Sequence, residues 1–479
     1  MRIRKKLKLF NTKFNPRHNT NFLVNEVYQM TLIYLTQRPT WAMSAIEVLT
    51  KHPNLTVIED AQQADIVLHF GHYDETLWQK HRNANLGFWF FRFAGQDIPV
   101  KQAAKRAVGA EVALESSLWV KQANGDILCL YQSFGQNDGF ATWRNVARTL
   151  AKAAYYPERV LTHYQKTNQL PVIFPEQLAV SDSIFQSVCL EATAVFKKII
   201  HKLFYHEQWF IVAGQSQALL PDPKTATWQL IPPNDCFWAD PFPVEKDGRV
   251  WIFLEALPFA TNRGHLAAVE LYADGTHSAA QNIMLKDYHL SYPFLLHWQN
   301  ELYLLPEAGE SREVALWRCI DFPHQWEKAA TLLSDVCFTD ATLIEHKGLW
   351  WLFLTIGELN GICLNDELHI YYADNPFGTW TAHAQNPVKS DARNARPAGN
   401  LFHRDGVLYR PAQDCGTGYG KAVVLNRIDN LTPEHFAETP IDRINSNWRE
   451  DNRCTHTLSR SEHYWAIDGL RLIPRWQKT

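Results

Sequence analysis

Acidic residues recur at one position of a repeating pattern in the second half of the chain. Asp240, in Trp238-Ala239-Asp240-Pro241-Phe242, and Asp340, in Phe338-Thr339-Asp340-Ala341-Thr342, each stand eight residues before a glycine, Gly248 and Gly348. Two carboxyls in different protonation states are what glycosidic chemistry needs. One, ionised, acts as base or nucleophile; the other, kept protonated by burial or a like charge, protonates the leaving oxygen. On this reading Asp240 and Asp340 supply the base and its modulator. Glu307, in Leu305-Pro306-Glu307-Ala308, is the acid, with Glu255 as second candidate. Tyr292, Arg396 and His456 stand where Asp240 stands in the other repeats, and Arg410, Gln413, Asp414 and Asp468 end the strands that follow. Arg396 and Arg410 could hold an anionic group, because guanidinium pairs bidentately with carboxylate or phosphate. Each candidate also has a structural reading: an Asp at a strand start binds turn N–H groups, and an Arg pairs with a neighbouring carboxylate.

The elements that must bring these residues together are five hairpins. WADPFPVEKDGRVWIFLEA, LSYPFLLHWQNELYLLPEA, FTDATLIEHKGLWWLFLTI, ARPAGNLFHRDGVLYRPAQ and CTHTLSRSEHYWAIDG each read as an apolar stretch, a polar turn and an aromatic-rich stretch. Lys246-Asp247-Gly248 and Arg404-Asp405-Gly406 are hairpin turns. Two further strands follow each of the first four hairpins. Four strands per unit of about 50 residues, five times over, predicts a five-bladed β-propeller, with a sandwich as the alternative. The last hairpin lacks its outer strands. Gln208 to Gly214 and Thr227 to Ile231 are expected to complete it and remove the open edge.

The first half has another texture. Helix-like spacing from Asn25 to Leu49, strands at Leu55 to Glu59, Asp65 to Phe70 and Gly87 to Phe93, and a helix at Trp143 to Ala154 predict a small α/β domain. The domain reading is 1–160 α/β, 161–204 linker and helix, and 205–479 propeller. Pro157, Pro171 and Pro175 mark the linker. The helix is capped at Ser181 or Asp182 and carries Ile184, Val188, Ala192, Val195, Ile199 and Leu203 on one face. That face is expected to pack between the two halves.

Composition narrows the function classes. The net charge is −3, which argues against nucleic acid as a partner. The chain has no G-x-G-x-x-G, no P-loop and no zinc-type ligand spacing, so no cofactor and no metal is expected. His69-x₂-His72-x-Asp74 reads as a polar loop rather than a site. Eight cysteines without C-x₂-C spacing read as scattered buried thiols in a reducing, cytoplasmic setting. The start is basic, from Arg2 to Arg17, with peripheral contact to an anionic membrane face as one reading. Of the 18 Trp, those in the repeats, such as Trp350, Trp351 and Trp465, read as packing.

The motifs Trp238-Ala239-Asp240-Pro241-Phe242, Ser291-Tyr292-Pro293-Phe294, Leu305-Pro306-Glu307-Ala308, Asp340-Ala341-Thr342-Leu343, Arg396-Pro397-Ala398-Gly399 and Tyr409-Arg410-Pro411-Ala412-Gln413-Asp414-Cys415 with Tyr419-Gly420 resemble the N-terminal domain of glucosamine inositolphosphorylceramide transferases. The resemblance covers about 205 to 475. It implies a propeller similar to those of arabinanase and fructosidase glycosidases, and a glycan or glycolipid context. In bacterial relatives this propeller often follows a domain similar to methionyl-tRNA formyltransferases. Ala64-Asp65-Ile66-Val67-Leu68, Gly87 to Arg92 and Ser133 to Val160 look like a shortened, degenerate version of that domain. The expectation is a carbohydrate-active protein of surface-polysaccharide or glycolipid assembly, cleaving or transferring a glycosyl group at the propeller axis. The alternatives are a non-catalytic glycan-binding or scaffold propeller, and a formyl or acyl transferase.

Overall fold

The structure is a computed structural model, which describes residues 30–357 and 363–476. The basic segment from Arg2 to Arg17 lies outside the described residues. Among the described residues there are six sheets. One, of six strands, belongs to the first half; the other five are the blades of a propeller.

The innermost strands of blades one to three are Cys236–Lys246, Ser291–Trp298 and Phe338–His346. Blade four opens with Phe402–Arg404, preceded by the bridge Pro397–Ala412. Blade five is Leu458–Arg460, Tyr464–Pro474, Tyr205–Gln215 and Trp228–Leu230, in that order across the sheet. The ring therefore closes as expected, with strands from both ends of the propeller segment in one sheet. Most blade faces are apolar and pack on one another, Trp351 and Trp465 fully buried among them.

The sheet of the first half runs Leu55–Ile58, Thr31–Leu35, Ile66–Leu68, Phe88–Phe93, Leu114–Lys121, Ile127–Gly135. Its first four strands are parallel and its last two antiparallel. Of the helix expected from Asn25 to Leu49, the described part is instead a strand, Thr31–Leu35, and a helix, Met43–Lys51, and residues 25–29 lie outside the described residues. The run Thr-Leu-Ile-Tyr-Leu buries alternate residues, a strand period that the following helical apolar residues masked. Part of the stretch read as linker is also helical, Tyr156–Thr167, with Pro157 in the first turn, where its missing N–H breaks no helical bond.

The helix Ile184–Phe204 is capped by Ser183, whose side chain accepts the N–H of Gln186. Its orientation corrects the expectation. Buried Ser187 and half-buried Ala194 face the protein, whereas Phe185, Val188, Val195, Phe196, Ile199 and Leu203 are exposed.

The two halves are locked together by buried charge. Lys152 Nζ lies 2.9 Å from Asp366 Oδ2, with both side chains at most 3% exposed. Arg159 holds Glu367 bidentately at 2.8 and 2.9 Å. Ser133 and Ser390 share a hydroxyl hydrogen bond.

Candidate functional site at the propeller axis

A shared backbone device aims the axis residues. Asp240, Tyr292 and Asp340 all have positive φ, 51°, 45° and 53°. Each sits where the inner strand slips register against its neighbour: between the pairs Phe242–Phe253 and Ala239–Glu255, Ser291–Glu307 and Phe294–Leu305, and Thr339–Thr355 and Thr342–Phe353. A bulge places two residues opposite one and re-aims the extra side chain. Left-handed backbone at a non-glycine residue is unfavourable, and here the surrounding hydrogen bonds enforce it.

Those bonds run from blade to blade. Asp468 Oδ2 accepts the N–H of Asp240 at 3.2 Å, and Asp240 Oδ2 accepts that of Tyr292 at 3.2 Å. Glu307 Oε2 accepts the N–H of Asp340 at 3.0 Å. The Tyr292 hydroxyl reaches across the ring, bonded to Thr342 Oγ1 at 2.9 Å and accepting the N–H of Gly399 at 2.7 Å. Gly399 is required there: at φ +116° a Cβ would lie 1.9 Å from the Leu458 carbonyl oxygen.

Around this scaffold the charges interlock. Asp340 accepts Arg396 Nε and, at 2.9 Å, Gln413 Nε2, while Arg396 Nη1 donates to Asn365 at 2.8 Å. His456 lies between two carboxylates, Nδ1 2.6 Å from Asp468 and Nε2 3.2 Å from Asp240. Thr457 Oγ1 donates to Asp240 at 2.6 Å. Burial pushes the Asp240 carboxyl up to about 7, against the pull of His456. Burial alone would lower His456, but Asp468 and Asp240 outweigh it and raise it to about 9. Burial and the nearby Asp340 lift Glu307 well above the carboxylate range, against the pull of Arg396. Asp240, His456 and Asp468 offer ligand atoms within 4.8 Å of one another, a geometry that could hold a metal ion. The imidazolium already supplies positive charge between these two carboxylates, so the trio fits a metal only after His456 loses its proton.

Beside this network stand exposed Tyr419 and the Glu255–His289 ion pair, 3.2 Å apart, while the Glu307 and Arg396 side chains are 15% and 11% exposed. The Tyr419 ring lies 5.1 Å from the Arg396 guanidinium and 5.2 Å from the His456 ring. Contact with Glu255 raises His289.

Of the residues predicted from sequence, the axis gathers Asp240, Tyr292, Glu307, Asp340, Arg396, Gln413, His456 and Asp468, with Glu255 at its rim. Two are elsewhere. Arg410 is fully buried and holds Glu438 and the carbonyls of Asn394 and Ala395, because its strand turns that side chain into the sheet packing of blade four. Asp414 caps the N–H of Gly416 and pairs with Arg443. Thr457, Asn365, His289 and Tyr419 were missed as site residues; only Tyr419 carried a signal, its place in a quoted motif. In the first half, Asp74 caps the helix Glu75–His81 and His69 bonds Thr36. Three of the eight cysteines are buried, whereas Cys189 is exposed on the long helix, contrary to the reading of all as buried.

The family model for the N-terminal domain of glucosamine inositolphosphorylceramide transferase 1 matches residues 226–467. The rice protein of that name (Oryza sativa subsp. japonica) is 37% identical over 209 residues, covering 43% of this chain and 28% of the relative. The Arabidopsis thaliana protein is 31% identical over 255 residues, covering 50% and 33%. The chain thus spans about a third or less of the length of these relatives. Among solved structures, a family 117 glycoside hydrolase of Zobellia galactanivorans aligns with TM-score 0.36 and 12% identity over 55% of this chain and 90% of that one. The catalytic domain of the Coprinopsis cinerea GH62 α-L-arabinofuranosidase aligns with TM-score 0.37 and 15% identity over 57% and 98%. With that family model matching half of its length, the chain belongs to the family of the N-terminal domain of glucosamine inositolphosphorylceramide transferase 1.

Proposed function

We propose that the propeller mouth recognises a sugar of glycolipid or surface-polysaccharide assembly, and that an amino or neutral sugar suits it better than an anionic one. The observation behind this reading is the commitment of every axis cation. Arg396 is neutralised by Asp340, His289 is paired with Glu255, and His456 with two carboxylates. The mouth therefore offers carboxyl oxygens, which accept from sugar hydroxyls or an ammonium, and the Tyr419 ring, which can stack on a sugar face. The relatives' name, which joins glucosamine and inositolphosphorylceramide, supports the same substrate class.

The second reading is glycosyl cleavage or transfer, favoured by Glu307, whose carboxyl is raised by burial and by Asp340 in the direction an acid needs. Glu307 and Asp340 are a poor flanking pair in this reading, because Glu307 accepts the Asp340 N–H and the Arg396 guanidinium lies against both carboxyls. Glycosidic pairs stand about 5–9.5 Å apart to admit the sugar. Asp240 is then the base. One variant separates the readings. Glu307→Gln keeps the side-chain shape and removes the transferable proton, so a binding site keeps its affinity in calorimetry. An acid catalyst would lose roughly 10²–10⁴-fold in turnover.

The α/β half, which resembles a degenerate formyltransferase domain in sequence, serves in this proposal as a positioning unit. Gln136 Oε1 accepts from Asn365 at 3.0 Å, and Asn365 accepts from Arg396, so the loop after Ile127–Gly135 reaches the axis through two hydrogen bonds. A formyl or acyl transferase centred on His69, His72 and Asp74 finds no support, since His69 and Asp74 hold structural bonds.

A further inference from the structure

The long helix Ile184–Phe204 presents an apolar face that the described protein does not cover. Phe185 is 80% exposed, Phe196 65%, Leu203 61% and Ile199 50%, with Val188 and Val195 on the same side. At 100° per residue these positions form one stripe along a helix about 30 Å long. The opposite side holds the helix to the body. Ser187 is buried, Glu191 accepts the N–H of Thr142, and the Lys198 ammonium lies 3.4 Å from the Phe140 ring centroid. Isolated exposed apolar residues are ordinary; a continuous stripe of this length marks a contact surface.

The surroundings of the stripe say what it contacts. Two exposed tryptophans flank it: Trp143, 71% exposed, beside the Thr142–Glu191 bond, and Trp476, 66% exposed, next to Arg475, whose N–H bonds the Phe204 carbonyl. Lys202 borders the stripe, exposed Lys197 lies further round the helix, and Glu191, the one acid of Ile184–Phe204, has its carboxyl held by the Thr142 N–H. Face-to-face packing of two copies through this stripe would oppose like charges. An anionic bilayer complements them, with the apolar stripe in the acyl boundary, lysines reaching phosphates and Trp at headgroup depth. No helix among the described residues is long and apolar enough to cross a membrane, so the contact lies in the membrane plane.

We infer that Ile184–Phe204 is an interfacial helix that seats the protein on an anionic membrane surface through Phe185, Phe196, Ile199 and Leu203. It continues directly into Tyr205–Gln215, the strand that carries Trp209 onto His456 with ring centroids 4.2 Å apart. Four extended residues separate Phe204 from Trp209, so the His456 end of the axis lies within about 20 Å of the membrane-facing helix.

The test is co-flotation of the full chain with vesicles of phosphatidylcholine alone or with phosphatidylglycerol. Neither contains a sugar-bearing ceramide, so this result is independent of the glycan reading. Binding is expected to the anionic vesicles and to weaken with salt. Phe196→Asp with Ile199→Asp should reduce it more than about tenfold while circular dichroism and melting stay unchanged. Lys197→Glu with Lys202→Glu, a milder change, should shift the salt dependence. The inference is overturned if the wild-type chain stays with the soluble fraction, if the aspartate variant floats as well as wild type, or if light scattering shows a dimer that this variant dissociates.

Discussion

His456 is held between Asp468 and Asp240, and both neighbours favour its protonated form. Its folded-state value of about 9 lies above the ordinary histidine value. The native state therefore binds more protons than the unfolded chain, and stability falls as pH rises. The contribution is complete below about 6.5 and is lost as pH passes about 9. Asp240, raised to about 7, gives the same sign between its ordinary value and 7. Thermal melts should show Tm falling from pH 6.5 to 9, and His456→Gln should flatten that slope. A second expectation concerns Tyr292. Tyr292→Phe leaves the Gly399 N–H and Thr342 hydroxyl without their partner and should cost about 1–3 kcal/mol in denaturant melts. Asp240 and Asp340 were legible because they recur at one repeat position. Thr457, Asn365 and His289 were not, because their roles depend on which blade faces which, and no pattern within one segment records that.

The bulge is the working part of each inner strand. It turns Asp240, Tyr292 and Asp340 onto the axis, where the next blade's N–H groups meet the carboxyls. Sequence shows the hairpin but not the bulge, since Asp-Pro, Tyr-Pro and Asp-Ala share no glycine that would signal positive φ. Arg410 was misplaced for a related reason: a one-residue change of register sends a side chain to the other face of its strand. Its partner Glu438 is held at about 2 by Arg410 and Lys389 despite burial. A carboxylate lowered in this way stabilises the fold above its ordinary value, and that contribution is lost as pH falls from 4.5 through about 2. Glu438→Ala strands a buried guanidinium and should cost about 3–5 kcal/mol in urea melts while leaving sugar affinity unchanged. The long helix was legible in extent and in its apolar face. Its partner was not, because periodicity identifies a face and not what covers it.

At the scale of the molecule, the repeat made the five blades and their closure readable, since each hairpin declared itself. The relation between halves was not readable. It rests on Lys152–Asp366 and Arg159–Glu367, charges far apart in sequence with no shared motif. Lys152→Met should loosen this contact by about 3–5 kcal/mol, seen as faster proteolysis between the halves, and adding Asp366→Leu should recover part of the loss. Through Gln136, Asn365 and Arg396 the same contact supports the axis. The central claim is that carboxyl oxygens and the Tyr419 ring recognise a sugar at the propeller mouth. Calorimetric titration of the full chain with a methyl hexosaminide and a methyl hexuronide tests it most directly. The account predicts that the hexosaminide binds more tightly and that Tyr419→Ala weakens it about tenfold or more. Tighter binding of the hexuronide, or binding of neither, would contradict it.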